Sequence, residues 1–367
     1  MGKFRKCFGR VEDPRAANAR HDLLELLVIA LAAVLCGADS CADMADFGEA
    51  KEGLLRAFLR LEHGIPSHDT FSRVFRILDP HSFEAAFRRF MAAFAKANGF
   101  TLTGVVAIDG KALRGSYERG QSTTPLHLVN VWAVQARMAL AQQKAPGRNE
   151  TAGALEVLQL LSLEGCIVTS DALHCHRAMA TTILDRGGDY VLAIKANRGP
   201  LFKAVTQQFA RSGKRSSVGR VEPSRHDRRE ARHATIMRNS SLATVHGFPG
   251  VVAIGRVTSC RRLHGQRAEP AVVRYYLSSK YISANRLLQI TRSHWSIENQ
   301  LHWVLDVHFD EDGNRARKDN APENLAILRR LALNILRSHL DRASIRRKIK
   351  RAGWDDAFLL SLLSHMR

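Results

Sequence analysis

The run VVAIDG, Val105 to Gly110, decides how this chain is read: its apolar residues are mostly β-branched, glycines bound it at Gly104 and Gly110, and an acid stands at its end. That is the pattern of a short strand buried on both faces, with Asp109 carried at its carboxyl end. A second such run, CIVTSDA (Cys166 to Ala172), carries Asp171 in the same place. Between them LHLVNVWAV (Leu126 to Val134) and RMALAQQKA (Arg137 to Ala145), separated by a turn near Gln135, predict a hairpin, and a helix is expected from Glu150 to about Leu161. Past the second aspartate come a helix to Arg186, a break at Gly187-Gly188, the strand DYVLAIK and a helix from Pro200.

Three strands, then helix, strand, helix, strand, helix is the element order of a ribonuclease-H-like α/β domain. In that layout the first and fourth strands are parallel neighbours, so Asp109 and Asp171 are expected side by side although 62 residues separate them (171 − 109). A third acid follows 127 residues later (298 − 171), in ITRSHWSIENQLHWVLDVHF, Ile290 to Phe309. Ile290, Ile297, Leu301, Val304 and Leu305 recur at helical spacing there, which predicts one helix with Glu298 at the edge of its apolar stripe. At about 100° per residue, His294 and His302 lie roughly 40° to either side of Glu298. A surface glutamate paired with Arg292 or His302 is the ordinary alternative, because a charge within an apolar face needs a partner. Taken together, two aspartates at adjacent strand ends and a glutamate on a crossing helix are what a pair of Mg²⁺ ions needs. Hard cations take oxygen ligands, and two of them ~3.5–4 Å apart activate a water or hydroxyl and stabilise the leaving oxygen of a phosphodiester.

The charge balance points to the same substrate class. The 367 residues carry 55 Lys plus Arg against 35 Asp plus Glu, a net charge of +20, while the 45% hydrophobic content is ordinary for a globular protein. A surface field of that sign attracts polyanions, nucleic acid first and an anionic membrane surface second. The longest apolar run, Leu23 to Cys36, has 14 residues and contains Glu25, too short to span a bilayer. No basic segment followed by an apolar stretch and a cleavage site opens the chain, so a cytoplasmic, nucleoid-associated protein with no membrane partner is expected. The six cysteines form no C-x-x-C pair and are expected as reduced thiols, in neither a disulfide framework nor a zinc site.

A chain of this length exceeds one hydrophobic core, and three regions are expected. Residues 1–99 predict an all-helical N-terminal domain. Asp13-Pro14 is taken as a helix start, Gly37 as a helix stop, and Ser67 as the cap of a helix through Phe71, Val74, Phe75 and Leu78. With Arg73 and Arg76 outward that helix fits the reading helix of a DNA-binding helix-turn-helix, or equally a member of a plain bundle. Residues 100–340 hold the α/β domain, interrupted by a β-rich insertion at about 211–280. The stretch RSGKRSSVGR within it is expected as an exposed loop, and from Arg211 to Arg238 nine Lys or Arg face three acids. Residues 341–367 form a basic C-terminal tail, with six basic residues and no acid from Arg342 to Arg351.

The blocks AIDGKALRGS, RNE (Arg148 to Glu150), TSDALHCHR, DYVLAIKANRG, RSHWSIENQLHWVLDV and NAPENLAILRRLALN resemble successive blocks of the DDE transposases of bacterial insertion sequences. More narrowly they resemble the H-repeat-associated group, and the likeness runs from Asp13-Pro14-Arg15 through GIPSHDTFSRVF to the last helix. That resemblance implies a ribonuclease-H-like catalytic domain with Asp109, Asp171 and Glu298 as the catalytic, metal-binding triad. It also fits the β-rich insertion ahead of the glutamate. The resulting expectation is a transposase with Mg²⁺ (or Mn²⁺) as cofactor, Asp109 bridging the ions and Asp171 and Glu298 each holding one. Its partner is DNA, as terminal inverted repeats and as target, and it acts as a homo-oligomer in the synaptic complex. Candidate phosphate contacts are Lys111, Arg114, Lys195 and Arg292, with Arg225, Arg228, Arg229 and Arg232 from the basic stretch. Where the broader superfamily frames the glutamate with Tyr, Arg and Lys, this chain has Thr291, His294 and Leu305, and His176 stands where Gln is expected. A two-metal nuclease without strand transfer, and a non-catalytic DNA-binding relic of an element, remain the alternatives. Trp295 and Trp303 are expected to pack in the core, with stacking on an unpaired base as the other reading.

Overall fold

In a computed structural model, the strands β1 (Gly104–Leu113), β2 (Leu126–Ala133), β3 (Met138–Lys144), β4 (Cys166–Ser170), β5 (Asp189–Ile194), β6 (Ser216–Arg225), β7 (Arg228–Arg238), β8 (Ala253–Leu263) and β9 (Val272–Ser278) form one sheet. Its order is β3-β2-β1-β4-β5-β9-β8-β7-β6. The structure describes residues 2–97, 99, 101–117, 124–211, 216–225, 228–263 and 269–364, with the backbone alone at 216, 219–225, 228–229 and 262–263. β1 is parallel to β4 and β4 to β5, while β2 and β3 are antiparallel, which is the ribonuclease-H-like arrangement that the element order predicts. The parallel register pairs Ile108 with Ser170, so Asp109 and Asp171 are the next residues on neighbouring strands.

The insertion continues this sheet instead of standing apart from it. β9 pairs antiparallel with β5, and β8, β7 and β6 follow outward. Of the basic stretch expected as an exposed loop, residues 216–220 lie in β6, which pairs with β7 as β7 does with β8, while residues 212–215 lie outside the described residues.

Helices α1 (Gly2–Phe8), α2 (Leu23–Leu35), α3 (Cys41–Ala50), α4 (Glu52–Arg56), α5 (His68–Ile77) and α6 (Pro80–Ala97) precede β1. Asp13-Pro14 does not start a helix. Arg15 pairs with Asp13 at 2.6 Å and donates to the His21 carbonyl at 2.6 Å, which folds this segment as a loop, and α2 is instead capped by Asp22. Ser67 caps α5 as expected, by accepting from Thr70 N. At the other end of α5, Arg76 is tied to Asp319 at 2.7 Å, and Asn324 donates to the Phe75 and Leu78 carbonyls at 2.9 Å each. Arg76 is therefore engaged in an ion pair, while Arg73 is exposed.

Helices α7 (Glu150–Gln159), α8 (Arg177–Asp185) and α9 (Gly199–Ala210) cover one face of the β1–β5 half, with Val157, Leu158, Met179, Ile183 and Val205 fully buried. After α10 (Ser241–Val245), α11 (Ala284–His294) lies across the middle of the other face, where Leu287, Leu288 and Ile290 pack on Val105, Val191 and Tyr276. Gly255 makes that approach possible: a Cβ there would stand 2.6 Å from Leu287 Cδ2. The remaining helices are α12 (Trp303–Phe309), α13 (Ala321–Ser338), α14 (Ile345–Trp354) and α15 (Asp356–Leu363). α13 and the N-terminal helices share one core with Trp132, Met138 and Ala139 of the sheet, so the N-terminal region is welded to the α/β part. The C-terminal region is folded too. Ile349, Ala352 and Phe358 join the same core, and buried Lys348 donates to the Leu336 and His339 carbonyls at 2.7 and 3.1 Å. Among the described residues no helix is long and apolar enough to cross a membrane, and the cysteines are free thiols.

Candidate active site

A cavity of about 260 Å³ opens where β1 parts from β4, and Asp109, Asp171 and Glu298 all line it; β1 stays paired with β2 and runs on to Leu113, so the expectation that this strand ends on Asp109 is corrected. Each reaches it by a different local route. Asp109 stands in β1 one residue past the last β4 pairing. Asp171 follows directly on β4 and caps a short 3-10 turn by accepting from Leu173 N at 2.9 Å. Glu298 comes from the opposite layer, on the connection between α11 and α12. A single regular helix is predicted there, but Ile297–His302 form a π turn in which the Glu298 carbonyl accepts from Trp303 N, five residues on. A π turn holds one residue more than an α turn and so rotates everything beyond it about the helix axis. His302, expected beside Glu298, consequently faces Asp109, with Nδ1 3.7 Å from Oδ2, while Glu298 remains exposed at the cavity mouth.

The cavity disfavours uncompensated negative charge. Burial, reinforced by the charges of Glu298 and Asp171 and in part by Glu150, pushes the Asp109 carboxyl up to about 7 against the pull of the Gly110 N–H. Partial burial also raises Glu298. Two like charges 4 Å apart repel by about 4 kcal/mol at an effective dielectric of 20, so such a group gains by taking up a cation or a proton. The histidines that line or underlie the site are not that cation. Burial lowers His294 to about 4 and His302 to about 3, which leaves both rings neutral near pH 7.

Behind Asp109 lies a fully buried polar chain. Arg330 donates to Asn130 Oδ1 at 2.7 Å and to Glu311 Oε1 at 2.6 Å, and Asn130 Nδ2 lies 3.4 Å from His302 Nε2. Lys111 belongs to the same cluster, 2.6 Å from Asp306, 3.3 Å from Asp312 and 4.0 Å from Glu311. It is only 8% exposed, so the expectation that it meets phosphate is corrected: alternation along β1 turns it into the protein on the same side as Asp109, where three carboxylates hold it. Arg114 sits past the far end of β1 beside Asp312, away from the cavity lining.

Lys195, at the end of β5, does line the cavity, is exposed, and has no ion-pair partner among the described residues. Arg274 of β9, which no sequence pattern singled out, lines it as well, with its guanidinium 5.5 Å from the Trp295 ring centre. Beyond Glu298 a wider groove of about 930 Å³ continues over the insertion, lined by Arg232, Arg261, Arg274 and Arg292 among others. Arg232 is paired with Glu230 at 3.0 Å. The side chains of Arg225, Arg228 and Arg229 lie outside the described residues. Trp295 and Trp303 are 39% and 54% exposed, so the core placement expected for them is wrong; the π turn carries the apolar stripe through Ile297 and Leu301 instead.

The three positions that depart from the superfamily pattern are accounted for locally. Thr291 is buried and bonded to the Leu288 carbonyl, His294 Nδ1 is held 3.1 Å from Thr169, and Leu305 is core. His176 caps α8 by accepting from Met179 N at 3.1 Å. None of these supplies a positive charge, and Lys195 and Arg274 are the cations that flank the acids.

As a donor set, carboxylates sharing one cavity suit a hard divalent cation. Among the described residues no three His, Cys, Asp or Glu side chains are gathered closely enough to enclose an ion, so the acids line an open cavity and not a closed cage.

Comparison with known proteins shows the family. Residues 100–335 match the family described as transposase DDE domain, and residues 5–91 match the family described as DDE_Tnp_1-associated. The putative protein YbfL of Escherichia coli is 33% identical over 360 residues, 95% of this chain and 94% of that protein. The H repeat-associated putative transposase YhhI of the same organism is 32% identical over 95% of this chain and 93% of its own length. Among solved structures, the piggyBac transposase synaptic complex with hairpin DNA covers this whole chain and 77% of its own at 14% identity, with a TM-score of 0.44.

Proposed function

The chain belongs to the DDE transposases, in the H-repeat group, and on that premise we propose that it binds the ends of a mobile element, hydrolyses DNA phosphodiesters there and joins the freed 3′ hydroxyl to target DNA. The observation that carries this reading is the convergence of Asp109, Asp171 and Glu298 on one cavity flanked by Lys195 and Arg274. Asp109, Asp171 and Glu298 would hold Mg²⁺ or Mn²⁺, which when bound activates the attacking oxygen and stabilises the leaving one in an in-line displacement.

The chain's own groups do the rest. Lys195 and Arg274 meet the non-bridging oxygens of the phosphodiester, and Arg232, Arg261 and Arg292 along the groove meet neighbouring phosphates. Neutral His294, held by Thr169, forms a wall next to Asp171 without competing for the phosphate. The buried Arg330–Asn130–His302 chain keeps the strand end and Asp109 in place, which matters because a reacting geometry is lost by shifts of about 1 Å. The element's two ends would be brought together by an oligomer of this chain, acting at the nucleoid.

The test uses a duplex carrying a terminal repeat, and a pre-cut version with a free 3′ hydroxyl, with a supercoiled plasmid as target. The parent should cut the first and join the second. Asp171→Asn and Glu298→Gln should still shift the duplex in a gel and do neither. A parent that cuts without joining is a nuclease, and one that binds without either is a non-catalytic relic.

A further inference from the structure

A fourth carboxylate stands against β1 beside Asp109, outside the DDE pattern. We propose that Glu150, in the first turn of α7, belongs to the catalytic centre and takes part in holding a divalent cation at the Asp109–Asp171 edge, from the sheet face opposite Glu298. The proposal rests on the assignment of Asp109, Asp171 and Glu298 above.

The first observation is the seat of the Glu150 side chain. Alternation along β1 sends Asp109 and Lys111 to the α13 side and residue 110 to the α7 side. Residue 110 is glycine, and its missing side chain is what admits Glu150: a Cβ there would stand 2.4 Å from the Glu150 carboxyl carbon and from Oε2. The Glu150 carboxylate therefore rests against the backbone immediately after Asp109, close enough to be among the charges that raise it. Asn149 fixes the start of α7 by accepting from Ala152 N at 3.1 Å, so the approach is set by a capped helix and not by a loose side chain.

The second observation is independent of Gly110. His174, three residues beyond Asp171, is 1% exposed, and its Nδ1 is buried without a hydrogen-bond partner among the described residues. Asp171 and Glu150 are the acids that act on it. Buried polar atoms are normally satisfied, so an orphaned ring nitrogen three residues from Asp171 marks a place where polar matter other than protein belongs, such as the water shell of a bound ion.

Charge is the third. His127 Nδ1 lies 3.2 Å from Glu150 Oε1, and no Lys or Arg pairs with Glu150 among the described residues. This contrasts with Asp306 and Asp312, each of which pairs with Lys111. A carboxylate seated against the backbone beside Asp109 with no basic counter-ion of its own is costly unless a cation joins it.

The test measures Mn²⁺ binding to the full chain, bound to a pre-cut end duplex, by the electron paramagnetic resonance signal of free Mn²⁺, and unfolding in EDTA alongside it. Glu150→Gln, which keeps the shape and removes the charge, should weaken Mn²⁺ binding by roughly 10–100-fold. The Mg²⁺ concentration for half-maximal joining should rise in parallel. In EDTA the same variant should be at least as stable as the parent, since a repelling charge is gone. Gly110→Ala, which keeps the glutamate and fills its seat, should move both metal readouts in the same direction. Parental Mn²⁺ affinity in Glu150→Gln overturns the proposal, as does a variant that is merely less stable in EDTA, the mark of a structural pair with His127. Asp109→Asn in the same assay separates the two levels: if it joins DNA at the parent's rate, the active-site reading fails, whatever Glu150 does.

Discussion

The two halves of the sheet solve different problems. In the β1–β5 half the strands are apolar and covered on both faces, by α7 to α9 on one side and by α11, α13 and the N-terminal helices on the other. A one-residue slip there would drive side chains into the wrong layer, so register is tightly held, and this is where Asp109 and Asp171 sit. In the β6–β9 half, α11 covers one side of the sheet, and Arg232, Arg261 and Arg274 line an open groove. The comparison teaches that acids which must meet within a few ångströms are placed by parallel strand ends, whereas cations that need only the right sign are spread along antiparallel hairpins.

The largest effect should come from the buried half. Asp109→Asn should lower cleavage by roughly 10³-fold or more, as loss of one member of an essential set does, with the duplex still bound in a gel shift. Retained cleavage would erase the distinction between the halves.

Next is the support behind the site. Arg330 and Glu311 are both fully buried and 2.6 Å apart, so Glu311→Gln strands a guanidinium and should cost about 3–5 kcal/mol in a denaturant titration. A change under about 1 kcal/mol, the surface value, would mean that this half is not rigidly backed.

A smaller effect is the pH dependence of stability in EDTA. Asp109 is raised from 3.8 to about 7, so between those values the folded chain binds more protons than the unfolded one. Stability should then fall as pH rises from about 4 to about 7, with the contribution of this carboxyl fully favourable below that window. Asp109→Asn should flatten the slope; an identical slope in the variant would place the titrating group elsewhere.

The smallest effects belong to the insertion half, one arginine at a time. Replacing Arg225, Arg228, Arg229 and Arg232 by Ala should reduce the steepness of log affinity against log salt by roughly 0.9 for each residue that meets a phosphate, without altering cleavage chemistry. An unchanged slope would move the DNA path to α14, which carries Arg346, Arg347 and Arg351.

Much of the buried half is legible in the chain itself. VVAIDG and CIVTSDA identify two strands that carry the acids, although β1 runs on past Asp109 to Leu113, and the order of elements around them implies parallel neighbours, because strand and helix periods are local properties of the backbone. The groove's cations are less legible: Arg274 sits in an alternating strand with nothing to mark it, and only the β5–β9 pairing brings it to the cavity. Lys111 illustrates the reverse, since next to the motif aspartate it looks like a phosphate contact until Asp306 and Asp312, 195 and 201 positions away, are seen to hold it.

By itself, then, the sequence determined the strands that carry Asp109 and Asp171, the helical region that carries Glu298, the sign of the surface and the family, all of which follow from residue type and short-range spacing. Only the tertiary structure decided that the helix breaks into a π turn at Glu298, that His302 faces Asp109, that the insertion extends the main sheet, and that Glu150 rests on Gly110. Those outcomes depend on how layers pack against one another, and packing is set by contacts between residues tens to hundreds of positions apart that no local period encodes.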